Sequence, residues 1–362
     1  MTTAAVRAHF SPDPEIIYLD APTYGLPPNE TIAALRQALD RWQAGTANWV
    51  EEWDKEADIA RELFGKLIGA PTSWIAVVPT VSVAVGTVAA SLPVGSKVLI
   101  PTEEFTSVGF PFVVAEQAGR ASVREVPFDQ LAESIDAETD LVAFSLVRSQ
   151  SGETADLDAI VAAAKAVGAQ ILIDSTHATP FVPVAKHLND IDYIACHGYK
   201  HLLCPRGAAF FMVNPRRQQD LHPYSANWRA ARPAYDIHYG TPMHLAGDAG
   251  RFDVSLAWHS WVGARQSLEL LVKWQAAGEF ENVLVLAKRL AEGLGLEPPK
   301  SSIVSFRAPD AAEAERVLTE AGIRCASRGG NIRLGVHVYN TPEEIERAIA
   351  VIAPLRAAVV AD

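Results

Sequence analysis

Short apolar segments alternate with helical segments between residues 70 and 213. Runs such as ILID and VLIP lack polar alternation, which is typical of strands buried on both faces of a sheet. The successive segments are IAVVP, SVAVGTVAASL, SKVLIP, DLVAFSLV, LDAIVAAAKAVG, AQILIDS, DYIACHG and AAFFMV. Because strands and helices alternate, the pattern predicts an α/β domain with a mostly parallel sheet covered by helices on both faces.

The pattern changes after the segment RFDVS, where LAWHSWVGARQSLELLVKWQ has apolar side chains at helical spacing. Such a helix is long enough to bridge two domains. Helix, strand, helix, strand and a final helix follow. That last helix has Thr341 as N-cap, Pro342 at its first position and Glu344 at the capping-box position. The segment therefore predicts a second, α+β unit.

The α/β alternation and the C-terminal α+β segment together predict two domains. The length of 362 residues agrees with this, since domains commonly contain roughly 100–200 residues. We expect a large α/β domain over residues 21–258 and a small α+β domain over 259–362. An N-terminal segment, 1–20, precedes them, and some of its residues are expected to pack with the small domain.

Charge and composition narrow the functions open to such a chain. Lys and Arg number 31 against 43 Asp and Glu, and the net charge of −12 disfavours binding to nucleic acid or anionic membranes. The apolar runs stop short of the ~18 residues of a membrane span. Neither a secretion signal nor metal-type cysteine spacing is seen. We therefore expect a cytoplasmic protein without a metal, a membrane partner or a nucleic-acid partner.

Two charged residues follow neighbouring apolar strands. Asp174 ends the strand QILID, and Lys200 lies just beyond the strand in DYIACHG. Ligands bind at the C-terminal ends of strands in doubly wound sheets, so both side chains are expected to face one crevice. A lysine there can form a Schiff base if its pKa is lowered, and a carboxylate can hold a protonated ring nitrogen. Taken singly, a solvated lysine and a turn-capping aspartate are the plain alternatives.

The segment VVPTVSVAVGTVA combines a strand that ends at Pro79 with a helix that begins near Ser82. Backbone N–H groups at a helix start, beside the hydroxyls of Thr80 and Ser82, suit a phosphate group. The segment contains neither GxxxxGK[ST] nor GxGxxG, so it supports neither an ATP loop nor a dinucleotide site. A plain serine N-cap is the alternative.

In this order, the phosphate-type helix start, the strand-end aspartate and the lysine resemble the fold-type I pyridoxal-phosphate enzymes. Within them the chain resembles the class V aminotransferase superfamily, which includes cysteine desulfurases, kynureninase and isopenicillin N epimerase. The resemblance runs from YLDAPTYGLPP to IRLGVHVYNTPEEIERAI, nearly the whole chain. It implies pyridoxal 5'-phosphate as cofactor and a homodimer with active sites at the subunit interface.

The resemblance implies a role for individual residues. Lys200 matches the family's Schiff-base lysine, and Asp174 matches the partner of the pyridine nitrogen. His177 falls near the cofactor's phenolic oxygen, with a histidine buried for packing as the alternative. The remaining cofactor positions are Thr80, Val81 and Ser82 at the phosphate, Phe105 stacked on the ring or packed in the core, Ser149 beside the ring, and His197 and Tyr199 as phosphate donors.

Four positions are expected to meet the substrate. Arg333 in NIRLGVHVYNT matches the arginine that binds the substrate α-carboxylate, a task suited to its planar and always charged guanidinium. An arginine inside an apolar strand is costly unless it meets an anion. Arg328 is expected either to bind the substrate α-carboxylate as well or to cap its own loop. Tyr24 and Ser255 are candidate substrate contacts because of their positions in the sequence alone.

The resemblance implies an enzyme that acts on an amino acid. β-Elimination, transamination, racemisation and decarboxylation share these residues. We expect a lyase for a cysteine-like or otherwise substituted amino acid, with an aminotransferase, epimerase or decarboxylating enzyme as the alternative. A catalytically inactive binding module is the second alternative, and the retention of Lys200, Asp174 and Arg333 argues against it.

One feature departs from the cysteine desulfurases, which carry a nucleophilic cysteine on a loop before the substrate arginine. Only RGGN separates the two strands here, and it contains no cysteine. Cys325 precedes this turn and is expected to be a buried structural thiol. Persulfide transfer to a cysteine is therefore disfavoured.

Overall fold

The structure is a computed structural model that describes residues 3–236 and 238–360. The apolar segments that lack polar alternation form strands, as the sequence predicted. Within the described ranges the strands are β1 (Ile17–Tyr18), β2 (Ile75–Val78), β3 (Ser96–Pro101), β4 (Ala121–Val126), β5 (Leu141–Ser145), β6 (Gln170–Asp174), β7 (Tyr193–His197), β8 (Ala209–Val213), β9 (Ile303–Arg307), β10 (Ile323–Arg324), β11 (Ala326–Arg328) and β12 (Asn331–Gly335).

Seven of these strands form the central sheet, in the order β2-β8-β7-β6-β5-β3-β4. β8 is antiparallel to both of its neighbours, and the other pairs are parallel. The predicted α/β class with a mostly parallel mixed sheet is therefore confirmed. The parallel neighbours β5, β6 and β7 end at Ser145, Asp174 and His197, so these three residues lie along one edge of the sheet.

Helices cover both faces of this sheet. Alternate residues of β6 show the division, because Ile173 packs with α3, α6 and α7 while Leu172 packs with α4 and α5. Burying side chains of this size stabilises the fold by roughly 1.5–3 kcal/mol each. The helices are α1 (Thr3–Arg7), α2 (Asn29–Ala44), α3 (Glu56–Ile68), α4 (Val81–Ser91), α5 (Thr106–Gln117), α6 (Leu157–Val167), α7 (Trp258–Ala276), α8 (Glu279–Gly293), α9 (Ala311–Glu320) and α10 (Pro342–Val360).

The helix α4 begins at Val81, with Thr80 as its N-cap. The Thr80 Oγ1 atom accepts a hydrogen bond from the Val83 N–H at 3.2 Å. The alternative of a serine N-cap at Ser82 is therefore wrong. Ser82 lies inside the first turn instead, where its hydroxyl is 3.0 Å from Thr80 Oγ1.

The C-terminal part of the chain contains a three-stranded antiparallel sheet in the order β11-β12-β9. The N-terminal strand β1 pairs in parallel with β10 of this part, and Asp20 forms a bridge with Gly335. Residues 17–20 thus pack against the unit that we predicted as the small domain. Among the described helices, none combines the length and hydropathy that a membrane crossing requires.

Candidate active site

The strand-end residue Asp174 is almost completely buried, with 6% of its surface exposed. Its Oδ1 atom accepts a hydrogen bond from the Thr176 N–H at 2.8 Å. Burial raises the pKa of Asp174, while Thr176 and the nearby Lys200 act in the opposite direction. A carboxylate in such surroundings is stabilised most by a cationic partner.

Lys200 lies three residues beyond β7 and is also buried. Its Nζ atom is 3.0 Å from His177 Nε2. Burial lowers the pKa of Lys200 to about 8, and the charge of Arg333 contributes, whereas Asp174 opposes the shift. Burial likewise holds the pKa of His177 well below its usual value. A neutral imidazole therefore faces an amine whose pKa is close to neutrality.

The N-terminal segment covers the backbone of this lysine. The Gly25 N–H donates to Tyr199 O at 3.0 Å. A Cβ atom at residue 25 would lie only 2.2 Å from Lys200 O and 2.5 Å from a Leu203 methyl group. Only glycine at position 25 permits the two backbones to come this close, so the N-terminal segment packs directly on the loop that carries Lys200.

Two aromatic rings flank the Lys200 amine. Its Nζ atom lies 5.0 Å from the centre of the Phe105 ring and 5.7 Å from that of Tyr199. Phe105 is 41% exposed, so it faces the crevice, and the alternative of a core phenylalanine is wrong. The guanidinium of Arg206 lies on the Tyr199 ring, 5.1 Å from its centre.

The N-terminus of α4 reaches the same crevice through His197. The Val81 N–H donates to His197 Nε2 at 3.3 Å, and the His197 N–H donates to Thr176 Oγ1 at 3.0 Å. Burial lowers the pKa of His197 to about 3, so its imidazole is neutral and can accept this bond. The helix start, β7 and the turn after Asp174 are therefore linked, and the helix N-terminus with its two hydroxyls can bind an anion.

Arg333 is on β12 and only 2% exposed. Its Nη1 atom donates to Ser149 O at 2.7 Å and lies 3.2 Å from Ser149 Oγ. Its Nη2 atom donates to Thr23 Oγ1 at 2.8 Å and lies 3.5 Å from Asp20 Oδ1. Burial lowers the pKa of Arg333 to about 10, and Asp20 opposes that shift. Ser149, predicted beside a ring, thus contacts the arginine.

The other three candidates lie around this centre. Arg328 Nη2 is 3.5 Å from the same Thr23 hydroxyl. Tyr24 is half exposed, and its carbonyl accepts a hydrogen bond from Tyr18 at 2.7 Å. Ser255 is exposed beside the end of β2, and no hydrogen bond among the described residues joins it to the other candidates.

Sequence reasoning did not identify Glu104. This half-buried carboxylate accepts hydrogen bonds from the Ser145 N–H at 2.9 Å, the Ser145 hydroxyl at 2.5 Å and the Phe105 N–H at 2.6 Å. Burial raises the pKa of Glu104, and these bonds act against the shift. Glu104 therefore ties the backbone of Phe105 to the end of β5. The available signal was an acidic residue three positions beyond the end of the buried strand β3.

All three cysteines of the chain are buried. Burial raises the pKa of Cys196 and Cys325 to about 12, and it also raises the pKa of Cys204 well above its usual value. The turn between β11 and β12 consists of Gly329 and Gly330 alone. The expectation of a buried thiol at Cys325 is confirmed, and the three thiols are poor nucleophiles.

Comparison with known proteins gives this arrangement a family. The family model "Aminotransferase class-V" matches residues 17–348. An uncharacterized aminotransferase of Bacillus subtilis, YcbU, is 29% identical over 326 residues, which cover 84% of this chain and 85% of that protein. A probable cysteine desulfurase of Aeropyrum pernix is 29% identical over 239 residues, 60% of this chain and 57% of that protein.

The fold has a close counterpart among solved structures. The cysteine desulfurase CsdA from Escherichia coli is similar with a TM-score of 0.83 at 18% sequence identity, over 99% of both chains. The family match includes the segments that carry Asp174, Lys200 and Arg333. The chain therefore belongs to the class-V aminotransferase family, a family of pyridoxal-phosphate-dependent enzymes.

Proposed function

We propose that the protein is a lyase that removes a group from Cβ of a cysteine-like or otherwise substituted amino acid. The observation that carries the proposal is the buried Lys200 amine, with a pKa lowered to about 8, near Asp174 and Arg333. An amine with this pKa is partly unprotonated near neutral pH and can attack a carbonyl group. The carboxylate and the guanidinium suit a cationic ring nitrogen and a substrate carboxylate, respectively.

The chemistry of the crevice fits pyridoxal phosphate. Asp174 is placed to hold the ring nitrogen, because its buried carboxylate is stabilised by a cation. The start of α4, with the hydroxyls of Thr80 and Ser82, suits the phosphate group. Phe105 is free to cover one face of the ring. When bound, the cofactor supplies an electron sink for the negative charge that develops at the substrate Cα.

Lys200 is the residue that we assign to proton transfer at Cα. A general base needs a pKa near the working pH and must be within hydrogen-bonding reach of the proton that it takes. His177 holds the Lys200 amine at 3.0 Å and is neutral, so it positions the amine without adding a second charge.

Arg333 is the proposed receptor for the substrate α-carboxylate. Ser149 and Thr23 hold its two Nη atoms, so the plane of the guanidinium is fixed before substrate binds. With a pKa of about 10 it stays charged at neutral pH. Asp20 Oδ1 lies 3.5 Å from Arg333 Nη2 and compensates the desolvation of the guanidinium only in part. The binding of a second anion would compensate it further.

The buried thiols support elimination over persulfide transfer. A desulfurase that uses a cysteine acceptor needs a reactive thiolate at the substrate, whereas burial raises the pKa of each of the three cysteines. Similarity to a probable cysteine desulfurase supports chemistry at Cβ. Transamination is the second candidate, because the Bacillus subtilis relative is described as an aminotransferase.

The test is to incubate the holoenzyme with a panel of amino acids and cysteine conjugates and to identify the products by mass spectrometry. A lyase consumes one water and releases pyruvate, ammonia and the free thiol in equal amounts. An aminotransferase requires a keto acid as co-substrate and leaves the Cβ–S bond intact. Amino transfer without thiol release would therefore replace the lyase by the second candidate. Failure to react with any member of the panel would contradict both candidates.

We further propose that the enzyme is a homodimer. The segments NWVEEW and YSANWRAARPAYDIHYG are rich in aromatic residues and arginine, a composition typical of subunit interfaces. They nevertheless do not support the dimer. Their rings pack within the subunit: Trp49 lies 4.9 Å from Trp258 and 5.7 Å from Trp228, while Tyr235 lies 5.3 Å from Trp228. Support comes instead from the groove between α4 and α5.

This groove, of about 750 Å³, adjoins Ser82 and is lined by the exposed apolar side chains of Phe110, Val114 and Tyr224. Sedimentation of the holoenzyme should give twice the chain mass of 39.0 kDa. Val114→Asp should shift the protein toward the monomer by placing a charge in the groove, whereas Val285→Asp, at a residue of α8 that is 64% exposed, should not. A fully active 39.0 kDa monomer would contradict the proposal.

A further inference from the structure

The sheet β11-β12-β9 turns one of its faces toward the crevice. Residues directly opposite each other in an antiparallel sheet share a face, and so do residues two positions apart on one strand. Arg328 is opposite Asn331, which is opposite Arg307, and Arg333 follows two positions along β12. Because Arg333 contacts Ser149 of the crevice, all three arginines lie on the crevice side of this sheet.

Arg328 and Arg333 contact the same threonine. Arg333 Nη2 lies 2.8 Å from Thr23 Oγ1, and Arg328 Nη2 lies 3.5 Å from it. The charge of Arg328 also acts on Lys200 and Arg333. Burial is the main cause of the lowered pKa of both Lys200 and Arg333, and Arg328 contributes to each shift. The two guanidinium groups are therefore close neighbours, with Arg333 buried in the crevice and Arg328 exposed beside it.

The charges of both arginines act on Asp20, but the two differ in how closely that carboxylate approaches them. Arg333 is buried and has Asp20 at 3.5 Å. Arg328 is exposed and donates to the carbonyl of its neighbour Ser327 at 2.7 Å. Over residues 3–236 and 238–360 it forms no ion pair with a carboxylate. Its guanidinium can therefore bind an anion that comes from outside the protein.

We propose that the substrate carries a second anionic group on its side chain, a carboxylate or another oxyanion, and that Arg328 binds this group while Arg333 binds the α-carboxylate. The inference rests on the proposed function, because it takes Arg333 as the receptor of the α-carboxylate. A guanidinium offers parallel N–H donors that match an oxyanion, and an amide or alkyl side chain lacks that match. Since both guanidinium groups contact one hydroxyl, the two anionic groups of the substrate lie only a few side-chain bonds apart.

The experiment compares ligand pairs that differ in charge and hardly in shape. The first pair is aspartate and asparagine, and their dissociation constants are measured by titrating the cofactor absorbance of the holoenzyme. The second pair is S-carboxymethylcysteine and S-carbamoylmethylcysteine, and their thiol products are quantified. The wild-type enzyme should bind aspartate at least about tenfold more tightly than asparagine, as a charge-assisted hydrogen bond provides. The cysteine pair should show the same preference in kcat/KM.

Arg328→Gln should reduce the ratio of the two dissociation constants to about one, and Arg328→Lys should restore part of it. Arg324→Gln is the matched control, because Arg324 is an exposed arginine on β10 that pairs with no carboxylate in the described part of the chain, and it should leave the ratio unchanged. Equal binding of aspartate and asparagine by the wild type would overturn the inference. So would an Arg328→Gln variant that weakens both ligands equally, because Arg328 would then bind the α-carboxylate.

The cysteine pair separates this inference from the proposed function. If neither conjugate releases a thiol while aspartate still binds more tightly than asparagine, the lyase is wrong and the second anionic subsite stands. If both conjugates are cleaved at equal rates, the lyase stands and the subsite is wrong.

Discussion

Replacing Lys200 by alanine should lower turnover by at least about 10³-fold and prevent covalent attachment of the cofactor. Among the described residues Lys200 is the one buried lysine, so no other amine can take its place in the crevice. The measurement combines a product assay with mass spectrometry of the protein after borohydride reduction. The wild-type chain should gain the mass of the reduced cofactor, and the variant should not.

The matched control is Lys186→Ala. The side chain of Lys186 is 73% exposed and pairs with Asp158 on the surface, so its removal should leave both the adduct and the turnover unchanged. A cofactor adduct that persists in Lys200→Ala would show that another residue is the attachment site, and the mechanism proposed above would lose its base.

Asp174→Asn should retain the cofactor but slow turnover by about 10²-fold or more. The side chain keeps its size and can still accept a hydrogen bond from Thr176, whereas the neutral amide no longer stabilises a protonated ring nitrogen. The phosphate site at α4 and the attachment at Lys200 are unchanged, so binding should persist. Cofactor absorbance and single-turnover kinetics with a reactive amino acid measure the two effects separately.

Asp156→Asn serves as the control for this change. Asp156 caps α6 through a bond with the Ala159 N–H at 3.1 Å, and asparagine is an equally good N-cap. Turnover in this variant should match the wild type. Normal turnover in Asp174→Asn would mean that the carboxylate takes no part in the reaction, and a complete loss of cofactor would give it a role in binding instead.

The fold was predictable where burial leaves a recognisable hydrophobic pattern in the sequence. β5, β6 and β7 are continuous apolar runs, and the capping box of α10 forms as expected, with Thr341 and Glu344 each accepting the other's N–H at 3.2 Å. The strand β4 was not predicted. It lies at the edge of the sheet, contains Arg124 and Glu125, and exposes half of its residues to water. Its sequence therefore lacks the continuous apolar run that marks a buried strand.

The candidate site was predictable only where a residue follows a strand. Lys200 and Asp174 could be assigned to one crevice because parallel strands end at a common edge. The contacts of Arg333 could not be predicted, because Thr23 and Asp20 are about 310 residues away in the sequence and lie next to the strand β1, which pairs with β10. Local pattern carries no information about such distant pairs.

That pairing has a consequence for synthesis on the ribosome. The strand β1 is synthesised before every strand of the central sheet, whereas its partner β10 and the bridging residue Gly335 are synthesised after all of them. The segment 17–25 must therefore wait with its apolar side chains unpaired while the central sheet folds, a situation that exposes nascent chains to aggregation. It follows that the nascent chain acquires its completed crevice only after β12 has been synthesised, because Arg333 lies on that strand and contacts Ser149 and Thr23.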